Sequence, residues 1–369
     1  MKIYVIILIT IILLCIFSKT GKSTSQHGGN MSLHGWHQDA QCSYRLLNVY
    51  KTFNKANSLN QNTGDSWSVY MPCGYNKAER EYDTIKSTSK DQKIFIIKGC
   101  DNLSRKDALW DNLRKMYYDG ASELMPDTFQ LRKKEDLDRL RRTYSKDKVY
   151  ILKKNIQRQL GLKMTTSLRE ILDGIKDGFV VAQEMLQDPL LVSGRKTNFR
   201  VYLLIICKNG VKRGYVYNNG YVYYTPKSFK KNSMDYDSVI TAGLSTGRKD
   251  SDFYDNHPLT IKQLERAMGA DLCTKTGQLM RKVLAASSPN FCNSGHLRDR
   301  TTFQLFGCDI AYNNVLQPQL IEINKGPDLS SKSPAEAYLK NDLVANIFKM
   351  IGVPVKVPLH GHFTHIWTS

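Results

Sequence analysis

Two β-prone runs near the C-terminus, Phe303-Gln304-Leu305-Phe306-Gly307-Cys308-Asp309-Ile310 and Leu320-Ile321-Glu322-Ile323-Asn324, carry acidic side chains within otherwise apolar strands. Side chains alternate across a strand, so Glu322 and Asn324 share one face while Ile321 and Ile323 occupy the other. The turn-like stretch Asn313 to Pro318 separates the runs, and pairing them as a hairpin brings Asp309 onto the same face. Two carboxylates and an amide oxygen are hard donors that suit Mg2+ held jointly with phosphates. The plainer alternative is an ion pair with a nearby Lys or Arg.

A cationic set lies upstream. Lys196, Asn198 and Arg200 recur at period two in an apolar run to Cys207, which puts them on one face of an extended strand. Beside a divalent ion they would orient a polyphosphate, Arg200 through bidentate contacts; the alternative is a solvent-facing basic edge. Lys153 closes the strand Val149 to Leu152 and precedes a polar loop ending at Gly161. A lysine with a flexible loop is a common phosphate cradle, although one glycine is a weak signal.

Strands dominate from Val149 onward, at 149–152, 179–185, 198–207, 213–217, 221–224, 303–311 and 319–324. Asn218-Asn219-Gly220 predicts a hairpin turn between 213–217 and 221–224. A short strand is expected over Lys93 to Ile97. Helical spacing covers Lys106 to Tyr118, and a second helix starts at Ser333-Pro334-Ala335-Glu336 and stops at Gly352. The fold class is therefore α/β (α+β).

Ile3 to Phe17 is a nearly unbroken apolar run between Lys2 and Lys19. As a helix it spans roughly 22 Å, short of a bilayer core of about 30 Å, and it reads as a short signal anchor or the core of a cleavable signal peptide. A single-pass N-terminal membrane anchor is the reading adopted, with secretion after cleavage as the alternative. The stretch to Asn62 is rich in Ser, Asn, Gln, Gly and His and reads as a tether. The eight cysteines form no C-x-x-C pair, and their scattered spacing fits buried, reduced thiols. The expected organisation is an anchor at 1–22, a tether at 23–66, a small N-terminal α/β domain at 67–145, a larger domain at 146–355 and a solvated C-terminal tail at 356–369 containing His360, His362 and His365.

Lys and Arg number 53 against 34 Asp and Glu, a formal charge of +19. Such an excess selects acidic partners: a polyanion, an anionic membrane or an acidic protein segment. Residues 132–158 alone carry 11 basic side chains and four acids, a run that reads either as a solvated face or as a docking surface.

At this point the residues resemble the tubulin-tyrosine ligase-like family, which has the ATP-grasp fold. Leu124-Met125-Pro126-Asp127-Thr128-Phe129 is similar to its P-x-T-F segment, and Tyr150-Ile151-Leu152-Lys153 to W-I-V-K-P. Gln183-Glu184-Met185-Leu186 with Asp188-Pro189-Leu190-Leu191 resembles the hinge Q-x-Y-I-x-N-P-L-L, and Lys196 to Tyr202 resembles K-F-D-L-R-x-Y. The two acidic runs resemble F-x-L-F-G-x-D and L-x-E-V-N-x-x-P. The resemblance, in family order from about Asp101 to Gly352, implies ATP- and Mg2+-dependent ligation of a free amino acid to a carboxylate of an acidic protein, tubulin or a tubulin-like tail, through an acyl-phosphate. Carried over residue by residue, Asp309, Glu322 and Asn324 would hold Mg2+. Lys153 and Lys196 would meet ATP phosphates beside Asn198, Gln183, Glu184, Met185 and Leu186 would receive the adenine, and Gly161 would lie in the closing loop. Arg200 would stabilise charge on the transferred group. Departures from the family pattern are Asn198 in place of Asp, Lys154 in place of Pro, a phosphate loop short of a glycine, and Tyr223 where many members carry Arg. A need for ATP, with reduced cysteines, places the folded part in the cytosol, and nucleic acid ranks last among the acidic partners.

Overall fold

The computed structural model describes residues 36–38, 49, 51–52, 66–75, 78–156, 161–242, 251–292, 295–331 and 333–369. The anchor expected at 1–22 and nearly all of the tether expected at 23–66 lie outside these residues. Among the described residues no helix is long and apolar enough to cross a membrane.

Two sheets organise the described residues. The smaller has four antiparallel strands in the order β4 (Thr128–Gln130), β7 (Val181–Glu184), β5 (Tyr150–Lys153) and β6 (Leu162–Thr165). The larger is built on three long strands, β9 (Arg195–Lys208), β10 (Val211–Tyr224) and β11 (Thr301–Tyr312), with β9 central and antiparallel to both. Short parallel strands β1 (Trp36–His37), β2 (Val69–Tyr70) and β3 (Lys93–Ile94) extend it beyond β11. β12 (Pro318–Asn324) pairs with β11, β8 (Leu191–Val192) with β9, and β13 (Phe363–Thr368) with the free edge of β10.

Alternation along β9 sets the two faces of this sheet. Phe199, Val201, Leu203, Ile205 and Cys207 enter the main core, which they share with Phe306, Cys308 and Ile310 of β11. Helix α1 (Lys106–Tyr117) contributes Leu109, Trp110 and Leu113 to that core, and α2 (Leu272–Ser287) contributes Leu279, Met280, Val283 and Leu284. The even-numbered residues of β9 are left on the opposite face. Helix α3 (Pro334–Met350) starts as expected, with the Ser333 hydroxyl accepting from the Glu336 amide at 3.2 Å.

Three sequence expectations need correction. The Asn218-Asn219-Gly220 stretch does not turn: β10 runs straight through it with a register shift between Val216 and Gly220. The hairpin lies instead at Asn209-Gly210, both at positive φ (53° and 80°), joining β9 to β10. Gly220 has a different task, because a Cβ there would lie 2.2 Å from the Arg200 carbonyl oxygen. The C-terminal residues are not a solvated tail, since 363–368 complete the sheet edge. His362 Nδ1 meets Asn218 Nδ2 at 2.9 Å, and His365 stacks edge-on against Tyr215. Finally, the cysteines are not all reduced. Cys207 and Cys292 are joined across a sequence separation of 85 residues, and Cys73 is also disulfide-bonded. Scattered spacing does not reveal which thiols the fold brings within bonding reach.

Candidate active site

Register across three neighbouring strands assembles the centre of the site. Asp309 of β11 lies opposite Arg200 of β9 on one side and Glu322 of β12 on the other, so the three side chains form a row on the face turned away from the main core. The β11–β12 ladder shifts between Asp309 and Ile310. That bulge at Ile321 lets Leu320 and Ile323 both enter the core while Glu322 keeps its place beside Asp309. Arg200 grips Asp309 with both ends of its fork, Nε to Oδ1 at 2.7 Å and Nη2 to Oδ2 at 3.3 Å. Glu322 accepts from Asn324 Nδ2 at 3.0 Å and pairs with Lys106 Nζ at 3.3 Å.

These contacts separate the two carboxyls. Burial raises the Asp309 pKa; Arg200 opposes this and Glu322 adds to it, leaving the group above the usual carboxylate range. Burial also works against ionisation of Glu322, but Lys106 and Lys153, with the hydrogen bonds from Asn324 and Lys106, outweigh it and bring its pKa to about 2. Burial works against the charged Arg200 guanidinium, but the charge and hydrogen bonds of Asp309, with Tyr223, outweigh it and hold the group firmly protonated.

The smaller sheet supplies lysine. Lys153, at the end of β5, is 5% exposed and donates to Gln183 Oε1 at 2.6 Å, and Gln183 Nε2 in turn donates to the Thr128 hydroxyl at 2.9 Å. Burial lowers the Lys153 pKa to about 8, with Glu322 and Asp309 pulling it up and Lys106 pushing it down. Lys196 of β9 is similarly buried and brought to about 8, first by burial and then by Lys153. Mutual influence among Lys153, Lys196, Glu322 and Asp309 locates the end of the small sheet beside the acidic row.

Gly161 stands at φ +72° where the β5–β6 connection returns, its carbonyl accepting from the Lys154 amide at 3.2 Å. Residues 157–160 of the expected phosphate loop lie outside the described ones. In the segment expected to receive adenine, Glu184 pairs with Lys148 at 2.8 Å and Met185 packs with Val149, Ile151 and Val239, while Leu186 is half-buried. Asn198 shares the site face with Lys196 and Arg200, and its buried side-chain oxygen has no hydrogen-bond partner.

The donor set fits a divalent cation. Two enclosed carboxylates oppose each other across a strand pair, one of them unfavourable to ionise beside the other, and the Asn324 oxygen is left to accept because its NH2 serves Glu322. Arg200 already compensates Asp309, however, so the ion-pair reading holds for part of the set.

Sequence reasoning missed Lys106. It begins α1, far from the acidic strands in sequence, yet its ammonium reaches Glu322 and the Ile156 carbonyl, the latter at 3.2 Å, and its backbone amide donates to Asn155 Oδ1 at 3.0 Å. The available signal was a lysine on the apolar side of an amphipathic helix; in the fold it is only 5% exposed. Tyr223 lies 5.7 Å from the Arg200 guanidinium, ring to cation, opposite Asn198 in register. The basic run at 132–158 is partly spent within the molecule: Lys133, Arg139, Arg141 and Lys148 pair with Asp111, Asp127, Asp138 and Glu184.

Fold and site thus define a mixed α/β protein in which Lys153 of the small sheet, Lys106 of α1 and Lys196 of the large sheet accompany a carboxylate pair on the large sheet, an arrangement consistent with an ATP-grasp fold. The chain belongs to the tubulin-tyrosine ligase family, whose model matches residues 84–360. Similar proteins include tubulin monoglutamylase TTLL4 of Mus musculus, 24% identical over 293 residues that cover 73% of this chain and 24% of that protein. Tubulin polyglutamylase TTLL6 of Mus musculus is 25% identical over 319 residues, covering 78% and 37%. A probable beta-tubulin polyglutamylase of Tetrahymena thermophila is 24% identical over 294 residues, covering 72% and 24%. The match thus spans between about a quarter and two fifths of the length of these relatives.

Proposed function

We propose that the chain is an ATP- and Mg2+-dependent ligase that joins a free amino acid to a carboxylate on an acidic protein segment of the tubulin-tail kind. The observation that carries this reading is the Arg200–Asp309–Glu322 row beside the buried ammonium groups of Lys106, Lys153 and Lys196. A site with so much enclosed positive charge is suited to a polyphosphate, and the opposing carboxylates to its cation.

In this reaction the acceptor carboxylate oxygen attacks the terminal phosphorus of ATP, the bond to the bridging oxygen breaks, and ADP leaves. The amine of the incoming amino acid then attacks the acyl carbon, loses a proton, and expels phosphate as the amide forms. Asp309, Glu322 and Asn324 would hold Mg2+, which supplies neutralisation of phosphate charge when bound. Lys153 and Lys196 bind the phosphate oxygens, and Gln183 and Thr128 keep the Lys153 ammonium aimed. Arg200, fixed by Asp309, offers its remaining N–H groups to the charge that develops on the transferred group. Glu184 to Leu186 receive the base, and the Gly161 loop covers the phosphates. The apolar run at 3–17 remains a proposed membrane anchor.

A second reading, a nucleotide-binding pseudoenzyme or basic docking protein, is favoured by Asn198 and Tyr223. Incubation with ATP, Mg2+ and labelled Tyr, Glu or Gly on tubulin or an acidic peptide separates the two. Label in the acceptor, lost in Glu322→Gln, is expected. ATP binding with no incorporation of any amino acid would leave the docking role in its place.

A further inference from the structure

Six cysteines lie among the described residues, and they fall into two groups. Cys207, Cys292 and Cys73 are in disulfides. Cys100 and Cys308 are unpaired with no exposed surface, and Cys273 is unpaired and half-buried against Glu265. Burial raises the pKa of all three unpaired thiols, Cys273 to about 12, so each is held as the unreactive neutral form. The Cys207–Cys292 bond ties the end of β9, the strand bearing Lys196 and Arg200, to the segment that leads into β11, the strand bearing Asp309. A reducing cytosol keeps such pairs open, whereas an oxidising compartment closes them and punishes any reactive thiol left over. The chain's pattern matches the second environment on both counts. The apolar run between Lys2 and Lys19 is the kind of segment that delivers a chain to that environment.

We infer that this domain matures and works in an oxidising compartment, and that the acidic segment it recognises belongs to a secretory or extracellular protein rather than a cytosolic one. The acceptor class rests on the ligase reading above; the compartment does not. The co-reactant ATP must then be present on the same side of the membrane. This inference departs from the cytosolic placement expected from the need for ATP and the scattered cysteines, because the fold pairs cysteines that spacing alone leaves apart.

The test uses the full chain expressed in animal cells. Cells are quenched with acid, free thiols are blocked with one isotopic form of N-ethylmaleimide, disulfides are reduced, and the released thiols are blocked with a second form. Mass spectrometry then reads each peptide. The Cys207 and Cys292 peptides are expected to carry the second label in at least about tenfold excess, and Cys292 to switch to the first label in Cys207→Ser. In parallel, the folded domain in sealed vesicles should resist added protease until detergent is present. First label on both wild-type cysteines, or digestion without detergent, would overturn the inference; the wild-type measurement decides even if the variant does not fold. Amino-acid incorporation by the purified oxidised protein is scored separately, so loss of the ligase reading leaves the compartment result standing.

Discussion

Lys106 shows how a single residue changes the reading of its neighbours. Its ammonium is the largest force holding Glu322 ionised against burial. Lys106→Met removes that counter-charge, which should raise the Glu322 pKa, and takes one enclosed ammonium from the phosphate site, so Mg2+-dependent ATP binding should weaken by about tenfold, the ~1.4 kcal/mol of one charged contact; calorimetric titration of the variant checks it. The two buried lysines give the pH dependence. Lys153 and Lys196 carry their charge below about pH 8 and lose it above. Affinity for nucleotide should therefore be steady from pH 6 to 7 and fall severalfold by about pH 9, with bound phosphate moving the inflection upward. Their effect on folding has the opposite sense. A lysine whose folded pKa is depressed makes the protein least stable where both states are protonated, and stability rises as pH climbs from about 8 toward the unfolded value.

Among the elements, β10 holds the most instructive misreading. Asn-Gly occurs at Asn209-Gly210 and again at Asn219-Gly220, and local propensity treats both as turns. The first connects two strands that pair along their length. The second lies where Asn219 Oδ1 takes the Gly220 and Lys262 amides, and where β10 passes against the Arg200 backbone. Gly220→Ala would drive a methyl into a carbonyl oxygen that cannot swing away, and a loss of about 2–4 kcal/mol is expected in urea denaturation, together with loss of activity because Arg200 must shift. The edge strand depends on one buried acid. Asp342 of α3 accepts from the Tyr217 hydroxyl and from the His360 and Gly361 amides, each at 2.8 Å for the amides. Asp342→Ala leaves these donors unsatisfied, at a cost of about 1–3 kcal/mol, and hydrogen exchange over 363–368 should speed up before the rest of the sheet responds.

At the scale of the whole molecule, the charge of +19 divides into parts with different fates. Lys106, Lys153, Lys196 and Arg200 are enclosed at the site, and several of the 132–158 cations are committed to internal ion pairs. Arg132, Lys134, Arg142 and Lys146 remain exposed. Raising salt from 0.05 to about 0.5 M should weaken capture of an acidic peptide much more than it weakens ATP binding, since exposed charges are screened within about 10 Å and buried ones far less; fluorescence anisotropy on the two ligands makes the comparison.

The sequence by itself determined the site strands and the face that their polar side chains share. Alternation in 303–310 and 320–324 put Asp309 and Glu322 on one face, period two did the same for Lys196, Asn198 and Arg200, and the capping residues located α3 to its first turn. These are local signals, set by side-chain direction along a strand or by the orphan amides of one helix end. What only the tertiary structure decided is what depends on distant segments meeting. That includes Lys106 reaching Glu322, the pairing of Cys207 with Cys292, the closing of the sheet by 363–368, and the use of Gly220 for close approach instead of a turn. No propensity encodes such meetings, because each is fixed by how the core packs α1, β9, β10 and β11 together, and the free energy that selects them is shared over the whole fold.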